Sequence, residues 1–265
     1  MSESRRYPKA RKRFGQNFLQ DQSVISDIVA AIDPQSDQHL VEIGPGRGAL
    51  TLPLVSASGQ LDVIELDRDL VPLLQAKLSE YSQLTVHQAD ALNFDYSTLV
   101  THGEKLRVIG NLPYNITTPL LFHLLSQASS VEDMCFMLQR EVVERICAQP
   151  GSKTYGRLSI MVQYQCDATL LFIVPPEAFD PIPKVDSAII YLRPRAEFVG
   201  GDVPIDALNT VVTKAFSQRR KTIANTLKNM ISQTALEAEN IDLQQRPETI
   251  SIEQYVAITR AWLAK

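Results

Sequence analysis

The chain predicts an α/β protein: a parallel sheet covered on both faces and ending in an antiparallel hairpin, followed by a small all-helical unit. Three observations predict this. Short apolar runs alternate with amphipathic segments as far as Leu138, two β-rich runs follow with no helix between them, and from Ile205 onward only helical periodicity remains. Strand and helix in alternation build parallel sheets, whereas two strands joined without a helix can pair antiparallel. A length of 265 residues with 45% hydrophobic content suits one large domain with a small appendage.

The elements follow in order. Val24, Ile25, Ile28, Val29 and Ile32 recur at helical spacing behind Asp21 or Ser23 as N-cap. His39 to Ile43, Gln60 to Leu66, Leu84 to His87, Leu106 to Ile109 and Met134 to Leu138 read as strands. Leu50 to Ser56, Asp69 to Tyr81, Tyr96 to His102 and Thr118 to Ala128 read as the helices between them. Leu158, Met161, Val162 and Gln165 predict a further helix, and Ala168 to Val174 and Ser187 to Leu192 predict the terminal hairpin. Pro175 to Lys184 is too proline-rich for regular structure and is expected as an extended loop. Pro194, Gly200, Gly201 and Pro204 mark a linker. Beyond it Ile205 to Ser217, Arg219 to Ile231, a short piece near Leu236 and Ile252 to Ala264 are helical in pattern. The boundaries expected are residues 1–20 for a basic arm, 21–195 for the sheet domain and 204–265 for the helical domain.

The net charge of -4 conceals an asymmetry. Arg5, Arg6, Lys9, Arg11, Lys12 and Arg13 crowd the N-terminal arm, and Arg219, Arg220 and Lys221 lie between Lys214 and Lys228. Either cluster alone reads as a solvated face, but two on an acidic chain point to a polyanionic partner. No apolar run approaches the roughly 20 residues of a membrane helix, and no apolar signal core follows the basic arm, so a cytoplasmic protein is expected. Cys135, Cys147 and Cys166 are odd in number and lack paired ligand spacing. They read as buried reduced thiols, with neither disulfide nor metal.

Asn111-Leu112-Pro113-Tyr114 ends an apolar strand in a turn. Its amide oxygen and a turn carbonyl can accept from an exocyclic amine, and its aromatic face can stack on a base, although the same residues also make an ordinary βα turn. Upstream, Leu40 to Gly48 runs from a strand into a glycine-rich turn, with Glu65 at the end of the next strand, an arrangement superficially like a dinucleotide fingerprint. Ala49 stands where that fingerprint has its third glycine, and Glu42 would face a pyrophosphate with nothing to neutralise it. A cationic cofactor without phosphates suits the loop better. Gly44 and Gly46 then admit a nucleoside carrying an amino acid, Glu65 accepts from both ribose hydroxyls, and Asp90 accepts from the adenine amine. Each acid has a plainer reading as a cap at a helix start.

With Phe14-Gly15-Gln16-Asn17-Phe18-Leu19 before the first helix, Pro181-Ile182-Pro183-Lys184-Val185-Asp186-Ser187-Ala188 near the sheet's end and Phe216 to Thr222 beyond, these motifs stand in an order that resembles the KsgA family. The resemblance runs from about Arg11 to the C-terminus. These are S-adenosylmethionine-dependent adenine dimethyltransferases of small-subunit ribosomal RNA. The resemblance implies a Rossmann-like class I methyltransferase sheet. It implies that Asn17 and Leu19 close over the cofactor, and that Gly44, Gly46, Glu65, Asp90 and Asn111 hold it. Asn111, Leu112, Pro113 and Tyr114, with Phe179, would form the catalytic pocket, Tyr114 and Phe179 sandwiching the adenine. Arg11, Lys12, Arg13, Lys184, Arg219, Arg220 and Lys221 would contact RNA. The implied substrate is two adjacent adenosines in a 3'-terminal hairpin loop of 16S rRNA, within an assembling small subunit, and the enzyme would act as a monomer. A large-subunit resistance methyltransferase shares the strand-end motifs, but the proline loop and Phe216 to Thr222 favour the small-subunit enzyme. An RNA-binding assembly factor with a secondary pocket and a nicotinamide oxidoreductase are the readings from other classes.

Overall fold

The computed structural model describes residues 16–101, 103–218 and 220–264. Arg11, Lys12, Arg13 and Arg219 therefore lie outside the described residues, as do Phe14, Gly15 and His102. Contacts divide the chain into two units, residues 1–143 with 169–194, and residues 144–168 with 195–265.

The first unit is a seven-stranded sheet in the order β4-β3-β2-β5-β6-β9-β7. Its strands are β2 (His39–Ile43), β3 (Gln60–Glu65), β4 (Leu84–Gln88), β5 (Leu106–Asn111), β6 (Val131–Gln139), β7 (Cys166–Val174) and β9 (Ser187–Pro194). The strands β4, β3, β2, β5 and β6 run parallel, and β9 lies between β6 and β7, antiparallel to β6. Leu40, Val41, Leu61, Val63, Leu106 and Val108 have no exposed surface, as strands covered on both faces require. Between the strands run α1 (Gln22–Ile32), α2 (Thr51–Ala57), α3 (Val71–Lys77) and α4 (Thr117–Ser126). Asp21 caps α1 by accepting from the backbone N–H of Ser23 at 2.9 Å and of Val24 at 3.2 Å.

A separate two-stranded ribbon joins β1 (Phe18–Leu19) to β8 (Phe179–Asp180), Phe18 opposite Asp180 and Leu19 opposite Phe179. The chain winds outward from β2 in both directions, to β3 and β4 on one side and to β5 and β6 on the other. Such a switch point opens a crevice beyond the carboxyl ends of the strands. Ile43, Glu65 and Asn111, the last residues of β2, β3 and β5, all end there.

The second unit packs α6 (Arg157–Gln165) against α7 (Ile205–Phe216) and α10 (Ile252–Leu263), with α8 (Ile223–Leu227) and α9 (Gln233–Ala238) completing it. Ser251 and Gln254 form a capping box at the start of α10. The sequence places residues 144–168 with the sheet, up to a boundary at 195; the structure groups them with the helices. The reason lies in packing. Leu158, Met161 and Val162 of α6 are buried against helices, and the Tyr155 hydroxyl donates to the Ile250 carbonyl at 3.1 Å.

Other expectations change locally. Where an α-helix is expected from Tyr96 to His102, the described residues hold a single 3-10 turn, Tyr96–Leu99, capped by Asp95 and pinned where the buried Tyr96 hydroxyl donates to the Ala91 carbonyl. Of the helix expected from Arg219 to Ile231, the described residues form α8. The helix α5 (Arg140–Ile146) and the ribbon β1-β8 carry no sequence prediction. Cys135 and Cys166 are buried, and burial pushes both thiols up to about 12, whereas Cys147 is only half-buried. No described helix is long and apolar enough to cross a membrane.

Candidate active site

The crevice at the switch point holds a cavity of about 390 Å³, lined by strand ends and the turns that follow them. Its floor is the glycine loop after β2. Gly44, Gly46 and Gly48 all have positive φ, and a Cβ on Gly46 would stand 3.1 Å from the Phe18 ring. Only glycine lets this backbone lie so close to the cavity and to its neighbour.

Glu65 ends β3 with one carboxylate oxygen accepting from the Asp67 N–H at 2.7 Å and the other from the Gly46 N–H at 3.2 Å. Burial raises its pKa, and these backbone donors oppose the rise. The carboxylate is thus held in place with lone pairs left for a ligand. Asp90 accepts from the Leu92 N–H at 3.0 Å and the Asn93 amide at 2.9 Å. Asp90 thus braces the turn after β4, with no helix following it directly among the described residues, and also faces the cavity.

Glu42 lies beside Glu65 with 2% of its surface exposed. Its Oε2 has no hydrogen-bond partner among the described residues. Burial pushes the carboxyl up to about 7; the Thr51 hydroxyl works against this and the Glu65 charge adds to it. The sequence uses Glu42 only to argue against a pyrophosphate. The structure makes it part of the cavity wall.

Asn111 ends β5, and its Nδ2 donates to the Asn17 carbonyl at 3.1 Å. That bond fixes which end of the amide is which, so Oδ1 is the end left to accept. The turn beyond is closed by the Ile116 N–H donating to the Pro113 carbonyl, and the Leu112 N–H donates to the Met137 carbonyl of β6. Tyr114 is half-buried on the cavity wall, its hydroxyl 2.9 Å from Ser187 Oγ.

The segment Gln16 to Leu19 also lines the cavity. Gln16 donates to Asp67 at 3.2 Å, and the Arg47 guanidinium lies 4.2 Å over the Phe18 ring while pairing with Asp180 at 3.5 Å. Gln16, Phe18, Glu42 and Arg47 are lining residues that the sequence-derived set omits. Phe179 is the reverse case. It does not line the cavity: it is 3% exposed and sits in the apolar core with Leu19 and Ile189. Its side chain lies in the core because β8 pairs with β1 and sets Phe179 opposite the buried Leu19. Among the cations, Lys184 is exposed in the proline loop of the first unit. Arg220 and Lys221 are exposed between α7 and α8 of the second.

Residues 7–264 match the family model for ribosomal RNA adenine dimethylase. The chain is 55% identical over 255 residues to ribosomal RNA small subunit methyltransferase A of Nitrosococcus oceani, covering 96% of this chain and 97% of the relative. Two solved structures share the fold. A dimethyladenosine transferase from Plasmodium falciparum superposes with a TM-score of 0.76 at 23% identity, over 91% of this chain and 95% of that one. The 23S rRNA methyltransferase ErmE superposes with a TM-score of 0.72 at 26% identity, over 92% and 99% respectively. The strand-end residues around the cavity and the match across nearly the whole sequence lead to one conclusion: this chain belongs to the ribosomal RNA adenine dimethylase family.

Proposed function

We propose that the protein transfers methyl groups from S-adenosylmethionine to the N6 amines of two adjacent adenosines in a 3'-terminal hairpin loop of 16S rRNA, in an assembling small subunit in the cytoplasm. The observation that carries this reading is the Asn111 amide, whose nitrogen is committed to Asn17 and whose oxygen is left to accept. The conjugated lone pair of an adenine amine makes it a poor nucleophile. Hydrogen bonds from N6–H to Asn111 Oδ1 and the Leu112 carbonyl favour a more tetrahedral, more reactive nitrogen. Tyr114 supplies a face for the ring. None of the described histidines lines the cavity, and none is required, because the amine proton becomes acidic after transfer and passes to water.

The cavity suits the cofactor on its own chemistry. An unpartnered buried carboxylate oxygen on Glu42 calls for a cation, and the positive-φ glycines admit a nucleoside close to the backbone. When bound, S-adenosylmethionine supplies an electrophilic methyl on a sulfonium. Glu65 would hold its ribose, Asp90 its adenine, and Asn17, Leu19, Gly44 and Gly46 its remaining length. The RNA would be held by the arm at Arg11, Lys12 and Arg13, by Lys184, and by Arg219, Arg220 and Lys221. The small-subunit target is preferred over the large-subunit one because the 55% relative carries the former in its name. Phe179 would meet the base only after leaving the core.

The direct test is mass mapping of small subunits from cells lacking the protein, after incubation with it and S-adenosylmethionine. Dimethyladenosine at two neighbouring positions near the 3' end is expected; unmodified RNA would refute the reading.

Glu42 gives a pH prediction. Its raised pKa means that the fold accommodates the protonated carboxyl: stability from this group is full below about 4.5 and is lost as pH rises through about 7. A cationic ligand needs the carboxylate, so cofactor affinity should fall as pH drops below about 7, by up to about tenfold per unit. Glu42→Gln should bind cofactor more weakly, lose this dependence and melt higher than the parent at pH 8. Calorimetry at pH 6 and 8, with thermal melts, checks all three.

A further inference from the structure

We propose that Ser187 is a positioning residue for this reaction, its hydroxyl holding the Tyr114 ring at the angle at which the target base stacks. The proposal rests on the adenine methylation reading above and adds to it a group outside the cavity. The Tyr114 and Ser187 oxygens are 2.9 Å apart. Ser187 has no exposed surface and opens β9 in register with Gln139, the last residue of β6. It cannot shift without disturbing the sheet.

A tyrosine ring anchored only at its backbone turns about two side-chain bonds. Here the backbone end is held in the turn closed by the Ile116 N–H on the Pro113 carbonyl, and the far end is held by Ser187. The hydroxyl lies on the axis of the second of these bonds, so the Ser187 contact fixes where the long axis of the ring points, and the phenol's preference for an in-plane hydrogen bond ties the ring plane to the same partner. Stacking itself uses the ring face, which a phenylalanine offers equally well, so the hydroxyl contributes orientation and not attraction.

Among the described residues of the cavity no second aromatic face is offered to a base. Phe179 lies in the core and does not line the cavity. The Phe18 ring lines it but is covered by the Arg47 guanidinium. Among the described residues of the cavity, Tyr114 is the aromatic face open to a base. Burial raises the pKa of its phenol, keeping it a neutral hydrogen-bonding group. A loosened ring lets the base tilt away from Asn111 Oδ1. The second methyl transfer should suffer most, because a monomethylated amine must return to the same alignment after turning.

Ser187→Ala, Tyr114→Phe, the double variant and Ser187→Thr are compared in single-turnover methylation of unmethylated small subunits, with mono- and dimethyladenosine counted by mass spectrometry. Each single deletion should slow transfer about tenfold, the scale of one lost hydrogen bond, and raise the share of monomethyladenosine. The double variant should be no slower than either single one, since each removes the same bond. Ser187→Thr should recover most of the rate, and calorimetry should give unchanged cofactor affinity for Ser187→Ala.

A parental rate in Ser187→Ala, a double variant slowed by the product of the two single effects, or an equal loss of cofactor affinity would each overturn the proposal. An unmodified protein that fails to methylate small subunits would instead refute the underlying reading.

Discussion

Asn111→Ala is expected to lower methyl transfer to small-subunit RNA by about 10³-fold while leaving the fold intact. Removal of a single preorganised group at a reacting centre costs on the order of 10²- to 10³-fold. Here the group is also the one that aligns the nucleophile. Truncation removes two bonds of different kinds. Loss of Oδ1 removes an acceptor for N6–H, and loss of Nδ2 frees the Asn17 carbonyl, now 3.1 Å away, so that the 16–19 segment is held less firmly over the cavity. The second loss should weaken cofactor affinity by about tenfold or less, the scale of a single hydrogen bond. Asn111→Asp separates the two. It keeps acceptor oxygens but sets a carboxylate against the Asn17 carbonyl, so it should bind cofactor no better than Asn111→Ala and yet retain more transfer at saturating cofactor. Single-turnover rates and calorimetry on both variants check this. Equal inactivity of the two at saturation would assign Asn111 to the segment and not to the amine.

Much of the lining of the candidate cavity is legible in the sequence because several of its residues end buried strands. Strands covered on both faces must be apolar throughout, so a polar residue where such a run stops stands out. Glu65 and Asn111 are found that way, Asp90 by its place just past the edge strand β4, and Gly44 and Gly46 by the turn they allow. The rest depends on contacts that local pattern does not carry. The β1-β8 ribbon has two residues in each strand, too few for any period, and its pairing across more than half the chain is what places Phe179 in the core. Ser187 reads as the start of an ordinary strand until the Tyr114 hydroxyl is seen against it. Residues 144–168 follow the sheet in sequence, and their place among the helices is set by which surfaces α6 buries. Asp62, inside a strand, carries no sign that it sits within 2.6 Å of His39 and 2.5 Å of His87.

Arg107→Ala is expected to destabilise the protein by about 3–5 kcal/mol, the usual range for breaking a buried ion pair by removing one partner. Arg107 interrupts the apolar run of β5, and nothing nearby in sequence explains it. In the fold its Nε donates to both oxygens of Asp133 at 3.0 and 3.1 Å, with only 12% and 9% of the two side chains exposed. Its other nitrogens donate to Gln38 at 2.7 Å and to the carbonyls of Ile32 and Asp33 at 2.7 and 3.3 Å, at the C-terminal end of α1. The Tyr191 hydroxyl donates to Asp133 at 3.0 Å. One guanidinium thus joins β5, β6 and the end of α1. Truncation leaves the Asp133 carboxylate buried with only Tyr191 and strips donors from two helix-end carbonyls. A fall in melting temperature of about 6–20 °C should follow for a chain of this size. The double variant Arg107→Met with Asp133→Leu, which removes both charges, should recover much of it, because the penalty lies in the orphaned charge more than in the lost attraction. Arg107 lies at the start of β5 and Asn111 at its end, about 13 Å apart at strand rise. Below its melting transition Arg107→Ala should therefore keep the parental rate of methyl transfer. A stability loss under about 1 kcal/mol, or a rate that falls with the protein still folded, would contradict a purely structural role.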